Sequence, residues 1–146
     1  EKPHPMSAWI IGNIYKVENL IDMERIEVNE GNLRTVFEIE RKYRDTKILQ
    51  KIIIYRDLPY IDFEFETDWN INGDKNNGVP LLRVNFNFNI EKPEFYCEVP
   101  FGISKRKIIP REYPALRWAG FKENDYWYVL MNKRNMDIML MEIIYL

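Results

Sequence analysis

The chain has 146 residues with 46% hydrophobic and 30% charged side chains. That composition suits one folded domain, large enough to bury a core without disulfides or a metal, and excludes a disordered tract. Twenty-one basic against 23 acidic residues give a net charge of −2, so no field of one sign calls for nucleic acid or an anionic membrane as partner.

From the N-terminus, Glu1-Lys2-Pro3-His4-Pro5 has neither the basic start nor the apolar run of a signal peptide, and a first residue other than Met suggests truncation or processing. With a single cysteine, Cys97, no internal disulfide framework of the secreted kind can form, which favours a cytoplasmic setting. No apolar stretch approaches the roughly 20 residues needed to span a bilayer.

Strands are expected at Trp9–Tyr15, Arg25–Asn29, Leu33–Tyr43 and Lys47–Tyr55, with Glu30-Gly31-Asn32 as a hairpin turn and Arg56–Pro59 as a break. Ile61-Asp62-Phe63-Glu64-Phe65-Glu66 alternates strictly between apolar and acidic, and Val84–Ile90 alternates between apolar residues and Asn. Successive strand side chains point to opposite faces, so each segment can cover a core on one side and stay wet on the other. Asn72–Gly78 reads as an exposed loop. Phe95–Val99 and Tyr126–Asn132 complete the expected strands. Lys105–Ala119, with two prolines and three arginines, reads as a long connection, and the apolar Met136–Leu146 reads as a final buried strand or a segment missing its cover. Short strands without helical crossovers predict an all-β, antiparallel β-sandwich, one domain over residues 1–146.

Chemistry-bearing residues are sparse. The lone histidine, His4, lies between two prolines near the chain start, so a catalytic metal site or a histidine-activated nucleophile is not expected. Cys97 sits in an apolar run and reads as an inert buried thiol. Asp62, Glu64, Glu66 and Asp68 would line one strand face about 7 Å apart, within the spacing used by paired glycosidase carboxylates. A solvated charged face, neutralised by neighbouring basic strands, explains them more simply. Trp69 and Trp118 stand in polar, loop-like sequence and are candidate stacking platforms for sugar rings. Arg106, Arg111 and Arg117 would flank such a groove.

The order of motifs goes further. Ile52-Ile53-Ile54-Tyr55-Arg56-Asp57-Leu58-Pro59-Tyr60 leading into Ile61-Asp62-Phe63-Glu64-Phe65-Glu66-Thr67-Asp68-Trp69 resembles a strand pair of the family-38 glycoside hydrolases, the α-mannosidases. Glu30-Gly31-Asn32-Leu33-Arg34 is similar to a turn that precedes it there. Leu82–Phe86, then Glu98-Val99-Pro100-Phe101-Gly102 with Arg106, then Pro114-Ala115-Leu116-Arg117-Trp118 resemble later segments in the same order. The resemblance covers roughly residues 30–132 and departs over the last dozen residues, where a terminal strand of the family pattern has no match.

The resemblance implies a galactose-mutarotase-like supersandwich that lies after the catalytic barrel of an α-mannosidase, a retaining glycosidase. It implies that the aspartate nucleophile and a His/Asp-bound divalent metal, usually zinc, lie in the parent's N-terminal parts. No catalytic and no metal residue carries over to this chain, and no cofactor is expected within it. The implied partners are the parent's own catalytic domain and α-mannosides, with Trp69, Arg106, Arg117 and Trp118 as candidate substrate contacts. Two other readings stand beside this one. The chain is a free-standing carbohydrate-binding module, or a mutarotase-type enzyme, which would need a histidine and a glutamate on the sandwich. Exposed strand edges also predict self-association.

Overall fold

The computed structural model describes residues 14–74, 76, 78–109, 111–132 and 136–140, with backbone alone for residues 111 and 136–140. Ten strands occur among them, every pairing is antiparallel, and no helix is present among the described residues. The all-β, sandwich-like expectation is met. The described residues divide into two compact units, residues 14–83 and residues 84–140, and each is taken by itself.

The first unit is one sheet of four consecutive strands, β1 (Arg25–Glu30), β2 (Arg34–Tyr43), β3 (Thr46–Tyr55) and β4 (Ile61–Thr67), in that order. The register puts Val28, Phe37, Ile52 and Phe63 in one row and Ile26, Ile39, Gln50 and Phe65 in the next. Those rows share a face, so period-two alternation in four strands becomes a continuous apolar surface. The opposite face carries Glu38, Glu40, Lys47, Lys51, Asp62, Glu64 and Glu66 around Val36, Leu49 and the buried Ile53. Lys47 pairs with Glu40 at 2.7 Å and Lys51 with Glu38 at 3.5 Å, across β2 and β3. Turn chemistry matches the sequence: the Gly31 amide donates to the Arg34 carbonyl at 2.9 Å, closing the turn before β2. Arg44 takes φ 54° in the two-residue β2–β3 loop, where a hairpin needs a left-handed residue. In the polar loop, Asp74 and Gly78 form an isolated bridge, with Gly78 at φ 72°.

The second unit has a four-stranded sheet in the order β6 (Gly102–Arg106), β5 (Glu94–Val99), β8 (Trp118–Glu123), β9 (Tyr126–Met131). A two-stranded ribbon joins β7 (Arg111–Ala115) to β10 (Met136–Leu140). Tyr113 and Ala115 of β7 meet Phe95 and Cys97 of β5 and Ala119 of β8 in one buried cluster. Small residues at three of these five positions let the ribbon approach the sheet closely. Phe95 and Cys97 are the most deeply buried side chains, at 1% and 0% exposure. Burying a Phe on this scale stabilises by roughly 2–3 kcal/mol. Tyr113 buries its ring against Phe95 and satisfies its hydroxyl by donating to the Lys107 carbonyl at 2.7 Å.

Three expectations need correction. Residues 84–90 form no strand although they alternate. Alternation sets two faces, but a strand also needs a ladder partner. Part of the apolar set still finds cover: Ile90 is buried and the Phe88 ring meets Phe121 and Tyr128 at 5.9 and 5.6 Å, while Val84 and Phe88 stay exposed. The supposed connection from Lys105 to Ala119 contains the end of β6, all of β7 and the start of β8. Pro114 disguised β7, and it is tolerated because β7 has one ladder partner and an unpaired side that needs no donor. Of Trp9–Tyr15, residues 9–13 lie outside the described residues, and Ile14 and Tyr15 are in no strand. Of the expected final segment, Met136–Leu140 is a strand, while the burial of its side chains and residues 141–146 lie outside what is described.

Candidate functional site

The four residues singled out from the sequence fall at three places. Trp69, just past β4, lies parallel to Tyr43 at the end of β2, with ring centroids 5.9 Å apart and 5° between planes. The Arg44 guanidinium stands 5.4 Å from the same Tyr43 ring. A pocket of about 740 Å³ is lined by the β2–β3 loop, the start of β3, the end of β4 and the residues after it, among them Arg44, Asp45, Lys47, Glu66, Asp68 and Asn70, and neither ring of the stack is part of its lining. Thr67 donates to the Lys47 carbonyl at 2.9 Å and Asn70 to Asp68 at 2.9 Å, so the lining is tied down by local bonds. One Trp69 face is therefore taken by Tyr43, and the polar groups next to it offer both donors and acceptors.

The carboxylate row of β4 behaves as a charged sheet face. Asp62 accepts from the Tyr55 hydroxyl at 2.7 Å, which raises the phenol's pKa by holding its proton against a carboxylate. In the ladder Glu64 lies opposite Lys51. This is ordinary cross-strand compensation.

Arg117 and Trp118 are brought together at the turn from β7 into β8, and Glu98 of β5 makes that turn. Its carboxylate accepts from the Arg117 amide at 2.9 Å and from the guanidinium at 2.7 Å. Its carbonyl accepts from the Leu116 amide at 3.1 Å. The hydrogen bond from Arg117 holds the Glu98 carboxyl below its usual range and raises the guanidinium in turn. The Arg117 side chain remains 70% exposed, so it is anchored by one edge and open at the other. Trp118, opposite Met131 of β9, shares the outward face of the sheet with Glu98.

Arg106 does not join them. It pairs with Phe95 across β5 and β6 and so lies on the inward face, its guanidinium 5.9 Å from the Tyr113 ring. Its Nε is buried without an acceptor, a sign of packing over an aromatic core and not of a groove shared with Arg117. The side chain of Arg111 lies outside the described residues.

Sequence reasoning missed Glu98 as a determinant, because 19 residues separate it from Arg117 and only the β5–β8 pairing brings them together. It also missed Phe101. This residue sits after Pro100 at the tip of the β5–β6 hairpin, at φ 66° and with its ring wholly exposed. A proline followed by a left-handed residue is the pattern of a type II turn, whose second central position usually holds glycine. A phenylalanine there carries backbone strain of the order of 1 kcal/mol or more.

No group of three His, Cys, Asp or Glu side chains that could hold a metal gathers among the described residues. The described donors do not fit a zinc ion: Cys97 is sealed in the core with its thiol pKa pushed up by burial, and Asp45, Glu66 and Asp68 share a pocket lining without gathering as a set of ligands. His4 lies outside the described residues.

The family model described as the glycosyl hydrolases family 38 C-terminal domain matches residues 1–140. No curated protein and no solved structure matched the chain. The motif order, the all-antiparallel strands and a match over nearly the whole length agree, and the chain belongs to the family of glycosyl hydrolase family 38 C-terminal domains.

Proposed function

We propose that this chain is the C-terminal β-sandwich part of a retaining α-mannosidase, packing on and walling that enzyme's catalytic domain without contributing its reaction centre. The observation that carries this reading is the family match over residues 1–140, joined to the ordered motifs from Glu30 to Trp118. The nucleophile and a zinc ion would come from the catalytic domain, and the enzyme would be cytoplasmic. In this reading the β7–β8 turn, with Arg117 anchored by Glu98 and Trp118 beside it, supplies a polar contact and an aromatic surface to the substrate channel. Trp69 and the adjoining polar pocket are a second candidate contact. Arg106 serves packing.

The test is direct. The 146-residue chain, incubated with an aryl α-mannoside and added zinc, is expected to give no turnover above the blank. Turnover above the blank would overturn the claim that the chemistry resides elsewhere. The coding sequence upstream of Glu1 offers a second check: a barrel with a His-x-Asp metal motif is expected there, and an unrelated domain would sink the mannosidase assignment.

A further inference from the structure

The outward face of the β6–β5–β8–β9 sheet carries an arrangement that walling a catalytic domain does not explain. The register places Tyr96 of β5 and Val129 of β9 on either side of Gly120 in β8, and Trp127 beside Lys122 one row away. No side chain can stand at Gly120: a Cβ there would come within 2.6 Å of the Tyr128 carbonyl oxygen. The glycine leaves a gap in the middle of the sheet, and the Tyr96 and Trp127 rings meet across β8 with centroids 5.3 Å apart and planes at 47°. Gly120 is buried, consistent with rings closing over it. Two aromatic rings thus meet over a backbone floor, and Trp127 stays 47% exposed.

The polar groups around the rings are already organised. Glu94 accepts from the Tyr96 hydroxyl at 2.8 Å and pairs with Lys105, whose ammonium stands 5.8 Å from the Tyr96 ring. Lys122 stands 5.8 Å from the Trp127 ring. Opposite charges are interleaved with the aromatics, so the apolar surface is broken into islands of ring size and the rim carries no strong net field. A continuous protein interface core excludes such charges. The two rings are tilted and do not form one plane, but the half-exposed Trp127 indole is itself a ring-sized apolar plane with donors and acceptors at its edge, which matches a pyranose, whose C–H face is apolar and whose equatorial rim is hydroxylated.

We propose that this face is a binding platform for a neutral oligosaccharide, with Tyr96 and Trp127 stacking on sugar rings and Glu94, Lys105 and Lys122 bonding their hydroxyls. The platform goes beyond the α-mannosidase reading and does not depend on it. It uses residues outside the Trp69, Arg106, Arg117 and Trp118 set, and it would recruit glycan without cleaving it. Affinity would be weak, on the order of millimolar for a short neutral sugar, because a shallow surface buries only part of a ligand.

The test uses the 146-residue chain carrying 5-fluorotryptophan, titrated with α-mannotriose, maltotriose and cellotriose and followed by fluorine NMR. Trp127→Phe assigns its resonance. The expected result is a saturable shift of the Trp127 resonance with at least one sugar. In a parallel saturation-transfer measurement, Trp127→Ala and Lys122→Met are each expected to weaken binding at least tenfold, while Tyr15→Phe, at an exposed position of the first unit, leaves it unchanged. Circular dichroism establishes that each variant is folded, and Lys122→Met, being on the surface, keeps the test sound where Trp127→Ala fails to fold. No shift at 20 mM of any of the three sugars would overturn the proposal. So would a Trp127 shift that follows protein concentration and not sugar, which would assign the face to a second copy of the chain. Preference for a gluco- over a manno-sugar would leave the platform standing while weakening the mannosidase reading, so the two fail separately.

Discussion

The two units solve the same problem with different success. In the second, β7 brings Tyr113 and Ala115 over Phe95, Cys97 and Ala119, and a sheet face becomes a closed core. In the first, the better-patterned sheet buries Ile39 and Ile48 on its apolar face but leaves Ile26, Val28, Ile54, Ile61, Phe63 and Phe65 between 38% and 51% exposed. The difference shows that alternation declares which face wants cover and does not provide it. Clustered exposed apolar residues of this kind mark an interaction surface.

The largest expected effect tests that contrast directly. Phe95→Ala should cost about 3–5 kcal/mol, read from urea midpoints, because a 1%-exposed ring in a tight cluster leaves a cavity. Phe63→Ala should cost well under half of that, since the ring is 38% exposed. Equal losses would erase the distinction between the units. Next, replacing Phe63 and Phe65 together by Thr keeps strand propensity and removes apolar surface. Sedimentation is expected to show less self-association than for the parent chain, and unchanged association would place the sticky surface elsewhere.

Smaller in effect, Phe101→Gly relieves a left-handed phenylalanine and should stabilise by about 1 kcal/mol. A destabilised variant would mean that the exposed ring makes a contact worth more than the strain. The smallest effect concerns Glu98, whose folded pKa is depressed by the Arg117 hydrogen bond. A depressed carboxyl contributes stability above its unfolded pKa and loses it as pH falls through the folded one. The advantage of the parent chain over Glu98→Gln should therefore be present at pH 7 and fade below the ordinary carboxylate range. An advantage that persists at pH 2 would remove the ion pair as its cause.

Much of the first unit was legible in sequence. β1 to β4 fall where period-two patterning placed them, and Gly31 and the Arg56–Pro59 break mark two of the turns. The second unit was harder to read for three physical reasons. Pro114 signals a loop although a strand with a single partner accepts it. Residues 84–90 carry a strand pattern without a ladder partner. β6 is too short, and too polar at Ser104, Lys105 and Arg106, to announce itself. The site was half visible. Arg117 and Trp118 are neighbours in sequence and in space, whereas Arg106 looked like their companion until the register turned it to the other face. Tyr96 and Trp127 are far apart in the chain, and only the pairing of β5 through β8 to β9 makes them one surface.

Cys97 gives the buried cluster a further property. Its sulfur is sealed at 0% exposure, and desolvation keeps the thiol protonated. Oxidants and electrophiles act on accessible thiolates, so they pass over intact copies and mark those in which β7 has lifted from β5. The rate at which a thiol reagent reaches this sulfur therefore reports how often the buried cluster opens.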